Sequence, residues 1–269
     1  MRAMTSSEIK DVQLGLLDAF AALCADNGLR FFMAYGTLLG AVRHQGYIPW
    51  DDDIDLAMPR PDYDRLCSLC SGRLVAGHCA LMTPDNPDYI YPFAKFSDTR
   101  TCLQERWMLT NVLGVNLDIF PLDGVPESPA SFAAFTRKMV PPHYLVCLTS
   151  RKMKTRKTLL ATVASALAYY PMRLTGYNRW KEKIISLATR LDYESSDFVG
   201  NVSLFTYLSR EHFPKAWFAE ADNMPFEGRL LPAPAGRDAL LRQLYGDYMQ
   251  LPPPERRVKK HENTAFWRQ

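Results

Sequence analysis

Gly36-Thr37-Leu38-Leu39-Gly40-Ala41-Val42-Arg43-His44, a short turn, and then Trp50-Asp51-Asp52-Asp53-Ile54-Asp55-Leu56 is the stretch on which the fold class turns. Asp53 and Asp55 stand two apart, ahead of the apolar Leu56, Ala57 and Met58. On an extended strand side chains alternate, so these carboxylates point to one face, about 7 Å apart, while Ile54 and Leu56 point to the other. Paired carboxylates repel, and a fold keeps them together where a cation neutralises them. Oxygen ligands on a strand edge suit Mg2+, or Mn2+ in its place, with water and substrate phosphates as further ligands. An acidic turn entering a strand is the plain alternative. Upstream, Phe31 to Tyr35 reads as a strand, and Gly36 and Gly40 bracket Thr37 in a turn where backbone can approach an anion. Joined, the two features predict a phosphate-handling enzyme.

Further along, Tyr91-Pro92-Phe93-Ala94-Lys95-Phe96-Ser97-Asp98-Thr99-Arg100-Thr101, Asn116-Leu117-Asp118-Ile119-Phe120-Pro121-Leu122-Asp123-Gly124 and the segment 240–255 complete a set of motifs. A glycine and small-residue turn followed by Asp-x-Asp on a strand resembles the nucleotidyltransferase superfamily. The string 35–66 with the later motifs resembles the LicD family, which includes bacterial phosphocholine transferases and the fukutin-related ribitol-phosphate transferases. The match is dense through residue 124, loose over 125–215, and returns near the carboxyl end. On spacing alone Asp118 would hydrogen-bond a neighbouring turn; the resemblance makes it a third carboxylate beside the Asp pair, and leaves Asp123 to cap the turn at Gly124.

The resemblance implies an α/β fold, a nucleotidyltransferase-like mixed sheet flanked by helices, with a mainly helical carboxyl half. It implies catalytic and metal-binding roles for Asp53, Asp55 and Asp118, with Asp118 also drawing the acceptor proton. Substrate contacts fall to Gly36, Thr37, Gly40, Arg43, His44, Lys95 and Arg100. The implied reaction moves a phosphoalkyl group, foremost phosphocholine from CDP-choline or the equivalent from another CDP-alcohol, to a hydroxyl of a cell-surface glycan or its lipid-linked precursor, releasing CMP. Two other readings stay open: a nucleotidyltransferase that uses a nucleoside triphosphate and releases pyrophosphate, and a non-catalytic glycan- or membrane-binding module. Trp50 either stacks on a base or caps the core.

At 269 residues and 47% hydrophobic, the chain can bury one sizeable core with a helical extension. One domain over 1–269 is expected, with a core to about 124, the extension to about 215 and the carboxyl motif region beyond. The formal charge of +3 argues against a nucleic-acid partner. No secretory signal opens the sequence, so a cytoplasmic protein with reduced cysteines is expected. Cys67, Cys70, His78 and Cys79 offer four zinc ligand types, but the spacing after Cys70 is unlike common zinc modules, and small buried thiols on a helix over Asp62 to Ser71 explain it more simply. Thr5 and Glu8 are spaced as a capping box for a helix from Ser6 to Asn27, stopped by Gly28. Strands are expected at Arg30–Tyr35, Ile54–Met58, Tyr91–Phe96, Thr101–Arg106 and Gly114–Phe120.

Five of the seven residues 151–157 are basic, and Leu159, Leu160, Val163, Leu167 and Tyr170 follow at helical spacing. A core helix after a solvated basic loop is the plainer reading. Peripheral contact of 151–170 with anionic headgroups on the inner face of the plasma membrane is the other. Spanning is excluded, since a bilayer takes about 20 apolar residues.

Overall fold

The computed structural model describes residues 1–70, 72–105, 108, 112–152, 169–171, 174–258 and 263–268. Helix α1 (Ser6–Asn27) opens with the expected capping box. The Thr5 side chain accepts from the Glu8 N–H, and the Glu8 carboxylate accepts from the Thr5 N–H at 2.8 Å. Gly28 closes it in the left-handed conformation, φ 60°. One face buries Val12, Leu16, Leu17, Phe20 and Cys24, with Ile9 and Leu23 at its half-buried margin.

That face lies on a mixed sheet whose middle strand is β8 (Asn116–Val125), and Phe20 meets Phe96 edge-on at 5.6 Å. Strand β8 reads as a near-continuous apolar run because neighbours cover it. It pairs in parallel with β3 (Asp55–Pro59) and antiparallel with both β6 (Ala94–Asp98) and β9 (Phe198–Gly200). β2 (Phe32–Met33) joins β3; β5 (Cys79–Met82) and β4 (Leu74–Val75) extend the sheet past β6, and β10 (Phe213–Pro214) extends it past β9. This is the α/β mixed sheet that was expected.

Helix α3 (Arg60–Cys70) packs on β3 and β8 and is tied to them by a buried ion pair, Arg60 Nε to Asp123 Oδ1 at 2.6 Å. Asp123 therefore sits inside β8 rather than capping the turn at Gly124. Burial raises its proton affinity and Arg60 opposes the rise. In the carboxyl half, α4 (Pro129–Ser150) and α5 (Tyr177–Ala188) build a satellite core on Val125, Phe132, Met139, Ile184 and Leu187. Strands accompany these helices: the hairpin of β11 (Ala221–Phe226) and β12 (Arg229–Pro234), and β13 (Asn263–Trp267), which lies between β1 (Arg2–Ala3) and β7 (Thr101–Glu105). Helix α6 (Arg237–Tyr245) follows the hairpin.

Two local expectations change. The strand expected at Arg30–Tyr35 shrinks to β2, and the turn expected at Gly36–Gly40 is the start of helix α2 (Tyr35–His44). Both glycines are there for close approach. A Cβ at Gly40 would collide with the carbonyl oxygen of Gly46, where the chain doubles back against the helix, and one at Gly36 would collide with the Asp51 carboxylate. The thiols of Cys67 and Cys79 are pushed up by burial to about 12 and about 11, which opposes the thiolates that zinc needs. Residues 153–168 of the basic segment, and Ser71 and Arg106 at expected element ends, lie outside the described residues. Arg151, Lys152 and Tyr170 are exposed. Among the described residues no helix is long and apolar enough to cross a membrane.

Gly15 is exposed on α1 with open space where a Cβ would go. Gly15→Ala should stabilise the protein by about 0.5–1 kcal/mol through helix propensity. Gly40→Ala should destabilise it by about 1–3 kcal/mol, because the Cβ meets backbone that cannot swing aside. Urea denaturation reads both, and equal signs for the two variants would contradict the packing described for α2.

Candidate active site

Strand register builds the site. Asp55 on β3 lies beside Asp118 on β8, and Asp118 lies beside Lys95 on β6. Residues paired across neighbouring strands project from one face, with strands about 4.8 Å apart, so three strands present a row of carboxylate, carboxylate and ammonium. Lys95 Nζ bonds Asp118 Oδ1 and lies 3.2 Å from Asn116 Oδ1, above the Tyr91 ring at 4.7 Å. Asp53 falls just ahead of β3, so of the expected pair only Asp55 is a strand residue.

Helix α2 abuts the row at its amino end. The Asp55 N–H donates to the Thr37 hydroxyl at 2.8 Å, and the Ala34 N–H donates to the Asp55 carbonyl at 3.0 Å. No side chain caps the helix at Ala34, so its first N–H groups and the positive end of its dipole are available to an anion. The acidic run is pinned from α1: Gln13 Nε2 donates to the Asp52 carbonyl at 2.9 Å and is itself held by the Tyr47 hydroxyl.

Electrostatics follow from crowding. Burial raises the proton affinity of Asp55 well above the carboxylate range; Asp53, Asp118 and Asp51 raise it further, and Lys95 opposes them. Among the described residues no three His, Cys, Asp or Glu side chains gather closely enough to hold a metal ion by themselves. The oxygen donors of Asp55 and Asp118 fit a hard cation of the magnesium type, which takes one or two carboxylates and fills its shell with water and phosphate.

Not every expected residue joins the row. Gly36 and Thr37 do, whereas Gly40 faces the Gly46 carbonyl and has no room for a ligand on that side. Arg43 and His44 occupy the last turn of α2, where cations suit the helix dipole. Arg100 sits in the turn between β6 and β7, paired with Asp98 (Nη2 to Oδ2, 2.5 Å), five residues along the chain from Lys95. Its guanidinium closes that turn.

Sequence reasoning missed a buried network behind α2. The Tyr35 hydroxyl donates to Glu211 Oε1 at 2.7 Å and accepts from Asn201 Nδ2 at 2.9 Å; the Asn201 N–H donates to Glu211 Oε2 at 2.8 Å. Tyr35 takes φ 43°, an uncommon value for a residue with a Cβ, and stacks on Tyr207 at 5.2 Å. The network holds this turn, which aims the helix start at Asp55. Its members are 166 and 176 residues from Tyr35, too far for spacing to link them.

A Gly-Thr helix start beside two in-register aspartates is the arrangement expected of a nucleotidyltransferase-type domain. Residues 28–126 match the family described as LicD/FKTN/FKRP, nucleotidyltransferase domain. That part of the chain is similar to the LicD family. The whole chain is similar to the lipopolysaccharide cholinephosphotransferase LicD of Haemophilus influenzae, 29% identical over 279 residues and covering 99% of each chain. A shorter likeness, 50% over 40 residues and 15% of each chain, links it to an uncharacterized protein of Rickettsia prowazekii. One of Rickettsia typhi matches at the same identity over 40 residues, 15% of this chain and 13% of that one.

Burial lifts Glu211 to about 8, against the hydrogen bonds from Tyr35 and Asn201 that lower it. A folded-state value above the unfolded one, about 4.3, means that the contribution of Glu211 to stability is complete below pH 4 and is lost as pH rises toward 8. Melting temperatures of the parent and of Glu211→Gln should therefore diverge between pH 5 and 8, the parent losing more, and run parallel above pH 9. Parallel curves from pH 5 upward would contradict a buried neutral Glu211.

Proposed function

We propose that this protein is a phosphotransferase that moves phosphocholine from CDP-choline onto a hydroxyl of a lipopolysaccharide-type glycan, releasing CMP. The observation that carries the reading is the row Asp55, Asp118 and Lys95 beside the open start of α2. Likeness over 99% of both chains to a lipopolysaccharide cholinephosphotransferase supports the choice of group and acceptor.

In this reading the diphosphate of the donor lies against the amino end of α2, where the N–H groups of Gly36 and Thr37 meet phosphate oxygens. A Mg2+ ion held by Asp55 and Asp118, with the charge of Asp53 close by, would offset the charge of the diphosphate and of the departing CMP. Lys95 fixes one oxygen of Asp118, which leaves the other to take the proton of the acceptor hydroxyl. The hydroxyl oxygen bonds to the choline-bearing phosphorus as the bond from that phosphorus to CMP breaks, and the electron pair leaves with CMP. Positioning and charge, rather than covalent intermediates, do most of the work in such transfers.

Asp55→Asn and Asp118→Asn should each lower CMP release from CDP-choline, with Mg2+ and a lipopolysaccharide acceptor, by at least about 100-fold, the scale seen when one preorganised charge contact is removed. Asp55→Asn should melt no lower than the parent in metal-free buffer, because a like-charge contact has been relieved. Full activity in both variants would sink the site. Pyrophosphate from CTP and phosphocholine, with no CMP from CDP-choline, would replace the reading by a nucleotidyltransferase.

A further inference from the structure

Beyond the carboxylate row, the last turn of α2 meets the carboxyl-terminal loop where two guanidiniums, Arg43 and Arg257, lie about the His44 and Trp50 rings. The Arg257 guanidinium lies over the Trp50 indole at 5.7 Å, and the His44 ring meets it edge-on at 6.4 Å. Trp50 is half-buried, packed against the main core. Arg43 Nη1 donates to the Tyr248 carbonyl at 2.9 Å and Arg257 Nε to the Pro252 carbonyl at 2.7 Å. Each guanidinium is thus aimed by a neutral acceptor. Among the described residues neither makes an ion pair with a carboxylate, and the adjacent Asp51 leans toward Gly36 instead. Burial and the nearby Arg257 together pull Arg43 below its ordinary value. Like charges held close to one another favour an anion beside them.

We infer that Arg43, Arg257 and Trp50 form a second anion subsite that takes a phosphorylated sugar, its phosphate between the guanidiniums and its ring on the indole. Arg43 is seven residues from Gly36, about 10 Å along the helix. The two phosphates of one diphosphate share an oxygen and cannot reach both ends. The subsite therefore belongs to the other reactant, and on the function proposed above, on which this assignment of reactant rests, that is the acceptor glycan.

Isothermal titration of the full-length protein without metal tests it, with glucose 6-phosphate, glucose and CMP as probes. Glucose 6-phosphate should bind at least tenfold more tightly than glucose. Arg257→Gln should weaken glucose 6-phosphate at least tenfold, Arg257→Lys should recover part of that, and the exposed Arg190→Gln should match the parent. A loss in Arg257→Gln confined to CMP would assign the cluster to the donor and overturn the inference. So would equal binding of glucose and its phosphate, or glucose 6-phosphate binding unchanged in a folded Arg257→Gln. No donor is present, so these results stand apart from any failure of CDP-choline to react.

Discussion

Asp55 and Asp118 are neighbours because β3 and β8 run parallel in one register, and burial together with the crowding of carboxylates there raises the proton affinity of Asp55. Two carboxylates about 5 Å apart at an effective dielectric near 20 repel by about 3 kcal/mol. Lys95, next in the row, offsets a charge of one unit. Asp53 and Asp51 add further negative potential at Asp55, so the pocket as a whole still favours a cation and then an anion bound to that cation. The start of α2 complements this by offering N–H groups to the anion. On the function proposed above, a metal with phosphate bound to it would satisfy both halves.

The framework that holds the row is largely apolar, and its polar exceptions mark where position matters. Arg60 and Asp123 lock α3 to β8, Gln13 and Tyr47 pin the acidic run, and Glu211 with Asn201 holds Tyr35 in a turn its Cβ disfavours. Each group has a hydrogen-bond partner, Asp123 through Oδ1 alone, which offsets much of the cost of desolvation. The site thus rests on strands and one helix rather than on loops, which suits chemistry that depends on placement.

Short-range signals were legible in the sequence and long-range ones were not. The capping box of α1 and its glycine stop involve residues three apart or at one end, and they appear as read. Asp118 as the partner of Asp55 came from the family resemblance, since nothing local joins residues on separate strands. Gly36 and Gly40 read as a turn because glycine usually marks one; their cause, backbone and carboxylate pressed against a helix, exists only in three dimensions. Arg100 sits in a matched motif, yet its partner Asp98 lies two residues away and keeps it in the turn. Glu211, Asn201 and Arg257 carry no motif, and their roles arise from contacts across much of the chain.

The central claim is that the in-register aspartates hold a divalent cation for phosphate transfer. Anomalous diffraction at the manganese edge, from crystals grown with Mn2+ and CMP, tests it directly. A manganese peak within about 2.3 Å of carboxylate oxygens of Asp55 and Asp118, with a CMP phosphate oxygen in the same shell, is the expected result. A peak elsewhere, or CMP bound with no metal at this row, would contradict it.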